Sequence, residues 1–281
     1  MAARNPSRTS STSGCSAPVN LAGCVEVLGG NEARTQALVV AGLELLLVAR
    51  PAGAKAGGDL YCIHSCGERA QAKMVLVDIQ GHGQRSAPLA RSIHNLLHEF
   101  SRETNPGRLL ELVNQRFTAF APPAVLATSL CAVYESHRGE FHYSYGGQPG
   151  ILIWQAGAHA WKSLTPSWDT PCGLPFGVAD TSCYEEEAFS LRPGEVLLML
   201  SDGVHEIHNP TGGLLQVDGV LRLAQECTDG LTPGFPLAAV ASAFLNRLTL
   251  FHGGSAFDDD LTILWVRRLP RQAPGLETAG L

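Results

Sequence analysis

The sequence predicts an α+β domain in which antiparallel sheets are covered by helices. Segments with the pattern of strands occur in hairpin pairs, and pairs of helical segments separate these hairpins. A doubly wound parallel sheet would instead alternate single strands with single helices. Hydrophobic residues make up 45% of the 281 residues, so the chain can bury a substantial core.

The first predicted elements are a strand and a hairpin. The run 43–48 is mostly aliphatic, and a loop rich in Pro, Gly and Ala follows it at 50–58. Two further strands, 59–65 and 73–79, flank a turn at 67–70.

Two helices are predicted after the hairpin. Ser86 suits the N-cap of the first helix and Pro88 its first turn. The second helix follows the Asn-Pro-Gly sequence at 105–107. Apolar residues recur at helical spacing in both, at Leu89, Ile93, Leu96, Leu97 and Phe100, and at Leu109, Leu112, Val113, Phe117 and Phe120.

Strands return in the second half of the chain. A Ser-His-Arg-Gly turn at 136–139 joins the predicted strands 127–135 and 140–145. The remaining predicted elements are strands at 151–155 and 195–200, helices at 217–227 and 236–250, and a closing strand at 261–267. We expect one domain over 19–268, a disordered tail over 1–18 and a flexible tail over 269–281.

Charge and composition argue against several classes of protein. The net charge is −6 and the Lys and Arg residues do not cluster, which disfavours nucleic acid as a partner. No apolar run approaches the ~20 residues of a membrane span, and the N-terminus lacks the apolar core of a secretory signal. The eight cysteines are irregularly spaced, as expected for reduced thiols. We therefore predict a cytoplasmic protein without a membrane segment.

Four short acidic motifs point to a metal site. Each places an Asp at the edge of a predicted strand, and Mg²⁺ and Mn²⁺ prefer oxygen ligands. The motifs are Gly57-Gly58-Asp59, Val77-Asp78-Ile79-Gln80-Gly81-His82-Gly83, Ser201-Asp202-Gly203 and Asp258-Asp259-Asp260-Leu261-Thr262.

The predicted hairpin would bring two of these Asp residues together. If Cys66 pairs with Gln71 across the turn, Asp59 lies opposite Asp78. Directly opposed residues have Cβ atoms roughly 4.5–5.5 Å apart. Two carboxylates at that separation repel each other, and a divalent cation between them would remove the penalty. The alternative is that both residues only form turns at an exposed strand end, and a slip of one residue would separate them.

The ordered set of motifs resembles the SpoIIE/RsbU-type serine phosphatases of the metal-dependent type 2C protein phosphatase superfamily. The four acidic motifs stand in the family's order over roughly residues 45–267. Three further segments are similar to family elements: Tyr145-Gly146-Gly147-Gln148-Pro149-Gly150, Gly173-Leu174-Pro175-Phe176-Gly177-Val178, and the strand from 191 to Asp202.

This resemblance implies a fold and a metal centre. The fold would be two stacked, mainly antiparallel sheets with helix pairs on the outer faces, and the centre would hold two Mn²⁺ or Mg²⁺ ions. Carried over by position, Asp78 would bridge both ions and the carbonyl of Ile79 would complete one coordination sphere. Asp202 and Asp259 would hold the other ion, and Asp59 would ligate or orient a water.

The resemblance also implies a reaction and partners. Water activated by the two ions would attack the phosphorus of phosphoserine or phosphothreonine on a protein. In this bacterial signalling family the substrate is often a phosphorylated anti-sigma-factor antagonist in a partner-switching pathway. Regulation would come from a separate protein or from oligomerisation, and a homodimer is one of the possible assemblies. His82 is a candidate proton donor to the leaving oxygen, and the alternative is that Gly-His-Gly only shapes a turn.

Several positions depart from the family pattern, among them Val77 for Gly and Ile79 for Val in the motif of Asp78. Cys62 stands where a second Asp is common, Gln80 replaces a Ser, and Gln148 replaces a His. The four metal Asp positions are intact, so the departures concern the outer shell of the site, its metal affinity and its rate.

Other candidate groups have simpler explanations. Cys62, His64 and Cys66 share one face of a strand and could bind zinc, but packed thiols explain them as well, since no fourth ligand is evident. Arg50, Lys55 and Arg85 could contact a phosphate, and solvated surface is the default for each.

Two alternative functions compete with a protein phosphatase. The first is a catalytically silent phosphatase-like domain that binds a phosphoprotein, although such domains usually lose a metal ligand. The second is a hydrolase of a small phosphorylated metabolite.

Overall fold

The computed structural model describes residues 19–20, 24–30, 32–52, 58–81, 86–164, 173–254 and 256–270. Two sheets and five helices form these parts of the chain. The strands are β1 (Val19–Asn20), β2 (Cys24–Gly29), β3 (Arg34–Val40), β4 (Leu43–Arg50), β5 (Asp59–Cys66), β6 (Gln71–Ile79), β7 (Ala127–Glu135), β8 (Glu140–Gly146), β9 (Leu152–Gln155), β10 (Ala160–Ser163), β11 (Glu187–Ser190), β12 (Val196–Leu200) and β13 (Leu261–Arg268). The helices are α1 (Ala87–Glu99), α2 (Pro106–Phe120), α3 (Asp202–His205), α4 (Gln216–Thr228) and α5 (Leu237–His252).

The two sheets are mainly antiparallel, as predicted. One sheet has the strand order β1-β3-β4-β13-β12-β9-β10, and the other has the order β11-β8-β7-β6-β5-β2. The pair β1 and β3 is parallel, whereas the other strand pairs of the described residues are antiparallel. Central strands such as β6 are buried on both faces, which explains why their sequence is a nearly continuous apolar run.

Three hydrophobic layers hold the four layers of secondary structure together. Inward-facing side chains of both sheets, such as Met74 and Leu264, form the central layer. The outer face of the first sheet packs against α4 and α5, and the outer face of the second packs against α1 and α2. The order of layers is therefore helix, sheet, sheet, helix, and the predicted fold class is confirmed.

The predicted helix starts are confirmed with one difference in capping. Asn105 caps α2 through its side chain, which accepts a hydrogen bond from the backbone N–H of Arg108 at 2.7 Å. Ser86 occupies the cap position of α1, but its side chain makes no capping bond because its backbone is already helical. Its carbonyl accepts the first helical bond from Ala90 instead.

Several elements were not predicted from the sequence: β1, β2, β3, β10, β11 and α3. Most of them are short or lie near sheet edges, and three of the four residues of β11 are exposed. The elements β1, β10, β11 and α3 have two to four residues each, which is too short for periodicity to give a signal. In the part of the chain that the structure describes, no helix is long and apolar enough to cross a membrane.

We predict that the outer helical layer contributes strongly to stability. Phe244 of α5 is fully buried and its ring lies 5.6 Å from that of Trp265. Phe244→Ala should lower the free energy of unfolding by about 3–5 kcal/mol, because the cavity left behind cannot be filled. Leu250→Ala on the same helix is the matched control, because Leu250 is 73% exposed. Urea denaturation measures both, and similar losses for the two variants would contradict this packing.

Candidate metal centre

The β5–β6 hairpin brings Asp59 and Asp78 together in the predicted register. Cys66 pairs with Gln71, and every pair back to Asp59 opposite Asp78 follows without a bulge. Side chains alternate between the faces of a strand, so both Asp residues point to the same side as the inward-facing residues of the central layer. The two carboxylates therefore meet at one end of the sandwich, between the sheets.

Two loops of the other sheet bring Asp202 and Asp259 to the same end. Ser201, at the end of β12, donates its backbone N–H to the carbonyl of Thr262 at 2.9 Å, and the Ser201 hydroxyl accepts from the N–H of Thr262. Asp202 then begins α3. A Cβ atom on Gly203 would lie 3.4 Å from the Cβ of Asp259, so the two loops are in contact.

Hydroxyl groups link these carboxylates across the two sheets. Thr262 of β13 donates its hydroxyl to Oδ2 of Asp59 at 2.6 Å. Thr128 of β7, which lies opposite Asp78, is 3.3 Å from Oδ2 of Asp202 and donates to it. Sequence patterns did not predict a role for either threonine, because their partners are distant along the chain.

The cluster carries an electrostatic penalty. Burial, followed by the negative charges of Asp202 and Asp59, raises the pKa of Asp78 to about 9. Burial also raises the pKa of Asp59 well above its ordinary value, against the hydrogen bonds from Thr262 and Ser201 that lower it. These carboxylates can all be ionised at neutral pH only if positive charge is supplied.

One oxygen of the cluster has no N–H or hydroxyl donor. Oδ1 of Asp202 is a buried atom without such a donor among the described residues, and the carboxyl of Asp78 can donate to Asp202 only while it is protonated. A buried carboxylate oxygen without a donor is costly, and a cation would satisfy it.

Three oxygen atoms surround the place where a side chain at Gly58 would begin, and we call this place the Gly58 recess. If Gly58 carried a Cβ, that atom would lie 2.5 Å from the carbonyl oxygen of Ile79, 2.8 Å from that of Gly81 and 2.9 Å from Oδ1 of Asp78. Only glycine leaves this space open. The predicted ligand atoms of Asp78 and Ile79 thus face one common region.

Asp260 holds the loop that carries Gly58. Its buried carboxylate accepts hydrogen bonds from the backbone N–H of Ala52 at 2.6 Å and of Gly58 at 2.5 Å, with that of Asp59 at 3.4 Å. The sequence prediction assigned a role to Asp259 and none to Asp260. The run of three Asp residues at 258–260 is the sequence feature that points to this site. Only the register of the closing strand shows which of the three is buried.

The donor set fits a divalent cation that prefers oxygen. One end of the sandwich holds carboxylates from both sheets, which repel each other. The unpartnered oxygen of Asp202 and the Gly58 recess lie at the same end. Among the described residues, no three His, Cys, Asp or Glu side chains already have the arrangement of a metal site. Binding would therefore require the carboxylates to close around the ion.

Cys62 does not belong to this cluster. It lies on the opposite face of β5, buried against the helical layer of α1 and α2, where burial raises the pKa of its thiol to about 12. Its replacement of a family Asp therefore does not remove a carboxylate from the space between the sheets. Cys62, His64 and Cys66 share this outer face as predicted, but they are not arranged as a zinc site.

The remaining predicted positions divide into two groups. Arg50 donates to the carbonyls of Arg34 and Ala49 and to the hydroxyl of Thr35, so its guanidinium is engaged within the sheet. Gln148 is buried, and its amide makes no hydrogen bond to a described residue. His82, Lys55, Arg85 and Gly57 lie outside the described residues.

Comparisons with known proteins agree with this architecture. The family model for Stage II sporulation protein E (SpoIIE) matches residues 68–269, a span that includes Asp78, Asp202 and Asp259. No curated protein sequence matches the chain.

Several solved structures have a similar fold. The RsbU and RsbW domains of Rv1364c from Mycobacterium tuberculosis match with a TM-score of 0.67 and 23% identity, over 84% of this chain and 62% of that chain. The SiaA PP2C domain of Pseudomonas aeruginosa matches with a TM-score of 0.66 and 18% identity, over 79% and 85%. The PP2C phosphatase domain of SpoIIE from Bacillus subtilis, with a fragment of its regulatory domain, gives 0.64 and 18%, over 82% and 65%.

The first and third of these proteins are longer than the matched region, since this chain spans less than two thirds of each. At these identities the structures establish the fold, and the family match covers most of the chain. The chain belongs to the SpoIIE family and has the fold of the type 2C protein phosphatases.

Proposed function

We propose that this chain is a metal-dependent protein serine/threonine phosphatase. The observation that carries the proposal is the convergence of Asp59, Asp78, Asp202 and Asp259 at one end of the sandwich, with a pKa of about 9 for Asp78 and an unpartnered oxygen on Asp202. Such an arrangement is destabilising for an empty site, and it is suited to two Mn²⁺ or Mg²⁺ ions.

The residues of the chain have distinct proposed roles. Asp78 interacts electrostatically with both Asp59 and Asp202, so it is the residue that would contribute to holding both ions. The carbonyl of Ile79 joins it on the side of Gly58, and Asp202 with Asp259 holds the second position. The Thr262 hydroxyl fixes the orientation of Asp59, and His82 is the proposed proton donor to the leaving oxygen.

The ions, when bound, would supply a nucleophile from water at neutral pH and offset the negative charge of the phosphoryl group. The contribution of the protein is to hold the carboxylates in place. The carboxylate of Asp260 contributes to this by accepting hydrogen bonds from backbone N–H groups of the loop that carries Gly58. Asp59 is buried and Asp202 is half-buried, so the carboxylate of Asp59 and the Oδ1 atom of Asp202 are shielded from bulk water.

The proposed substrate is a phosphoserine or phosphothreonine of a signalling protein. The support is membership of the SpoIIE family and the likeness to RsbU, which in the mycobacterial protein is joined to an RsbW domain. A phosphorylated anti-sigma-factor antagonist is the substrate that such a system suggests. We further propose a cytoplasmic location, a catalytic domain over 19–268 and regulation by a separate protein or by a homodimer.

We predict that the purified protein hydrolyses p-nitrophenyl phosphate only with Mn²⁺ or Mg²⁺. Asp78→Asn should lower turnover by roughly 100-fold or more, because it removes the charge that both ions share. Asp258→Asn is the matched control: it is a neighbouring acidic residue whose side chain is 81% exposed, and its turnover should stay within about twofold of the original.

Two outcomes of this assay would contradict the proposal. A folded sample without turnover at any metal concentration would support a silent, phosphoprotein-binding domain. Full activity in Asp78→Asn would remove Asp78 from the centre. With phosphoserine peptides and small phosphorylated metabolites as substrates, preference for a metabolite would support a small-molecule hydrolase.

A second prediction concerns the recess at Gly58. Gly58→Ala should raise the Mn²⁺ concentration needed for half-maximal activity by about tenfold, because the new methyl group would lie among the oxygens of Ile79, Gly81 and Asp78. Calorimetric titration with Mn²⁺ should show the same loss. Gly157→Ala is the matched control, since its Cβ would have no neighbour within 4 Å. An unchanged Mn²⁺ affinity in folded Gly58→Ala would show that this recess takes no part in metal binding.

A further inference from the structure

A cavity opens at the other end of the β5–β6 hairpin. Its volume is about 440 Å³, and it lies between the hairpin turn and the connection of α1 to α2. Lys73, which lines it, is five residues from Asp78 along β6, or roughly 17 Å. Lys73 also projects to the outer face of the sheet, whereas Asp78 projects to the inner face. The cavity is therefore separate from the acidic cluster.

Positive charge dominates the lining of this cavity. Lys73, Arg69 and Arg102 line it, against the single carboxylate of Glu68. Within the described residues, none of these three cations lies within 4 Å of a carboxylate oxygen. Arg69 instead donates to the backbone carbonyl of Arg102, at 3.4 Å. The chain has a net charge of −6, so this concentration of unpaired positive charge runs against its overall composition.

Lys73 has too few acceptors for its ammonium group. The residue is only 6% exposed, and its Nζ donates to the carbonyl of Ser101 at 2.9 Å. An ammonium has three donors, and the described residues offer no second acceptor. Burial lowers the pKa of Lys73 although the charge of Glu103 opposes this shift, and no carboxylate of the described residues lies within 4 Å of the ammonium as a partner charge. An anion in the cavity would supply that partner.

The chemistry of the lining selects the kind of anion. Two guanidinium groups and an ammonium offer more donors than one carboxylate can accept, and the hydroxyl-bearing residues Ser101 and Thr104 add to them. Phosphate groups accept several such bonds at once, and Arg binds them through paired N–H groups. The volume lies within the range of small-molecule pockets, which favours a small ligand over a macromolecule.

We propose that this cavity binds a small phosphate-bearing anion, independently of divalent metal. Lys73 forms its floor on the sheet, and Arg69 and Arg102 close on the anion from the hairpin turn and the α1–α2 connection. The site differs from the proposed phosphatase centre in its position and in the sign of its charge, and it needs no metal ion.

The test uses protein stripped of divalent cations on a chelating resin, with sodium pyrophosphate and inorganic phosphate as probes. Isothermal titration should show one pyrophosphate site in the original protein. Arg102→Gln and Lys73→Met should each raise its Kd by at least about tenfold, because each removes one cation. Lys73→Met should keep the melting temperature or raise it, since it replaces a poorly paired buried charge with an apolar side chain.

The control is Arg222→Gln, which removes the same charge from an exposed position on α4, in the helical layer on the other side of the molecule. Its Kd for pyrophosphate should match the original, and acetate should bind at least about tenfold more weakly than pyrophosphate. Four results would overturn the proposal: no binding of either probe at millimolar concentration, equal weakening by Arg222→Gln, equal affinity for acetate, or binding of a phosphoserine peptide without binding of pyrophosphate. Because metal is absent throughout, the outcome does not depend on phosphatase activity.

Discussion

The main constraint on this structure is the repulsion among the carboxylates that the fold brings together at one end of its two sheets. Asp59 and Asp78 come from neighbouring strands of one sheet, and Asp202 and Asp259 come from loops of the other. Burial of Asp78 and the negative charges of Asp202 and Asp59 raise the pKa of Asp78 to about 9. A fold that builds such a cluster reproducibly must offset its charge, and two divalent cations would do so while creating a reactive centre.

The surrounding residues that the structure describes hold the carboxylates in place, and they do not supply positive charge that would reduce the repulsion. Asp260 fixes the Gly58 loop through backbone N–H groups, and Thr262 and Thr128 orient Asp59 and Asp202 through hydroxyl groups. These contacts join residues that are about 70 to 200 positions apart in the chain. They cross between β7, β13 and the loops, so the proposed centre requires the complete sandwich.

Much of this arrangement could be predicted from sequence. Antiparallel pairing fixes register once a turn is located, and the turn at 67–70 therefore placed Asp59 opposite Asp78 correctly. Periodicity failed for short edge strands such as β11, which do not bury a full face. The roles of Asp260 and Thr262 could not be predicted, because they depend on which of several adjacent polar residues the closing strand buries. Side chains alternate between the two faces of β5, which places Cys62 outside the cluster. A comparison of motifs alone did not reveal this.

The β5–β6 hairpin thus connects two regions of opposite charge, an acidic one at Asp78 and a basic one at Lys73. Anomalous scattering from crystals grown with Mn²⁺ tests most directly whether the acidic region binds two ions. We expect two manganese peaks, both at roughly 2.1 Å from oxygens of Asp78, with Asp202 and Asp259 beside one of them. A map with no peak beside Asp78, or with manganese bound only elsewhere on the chain, would contradict it.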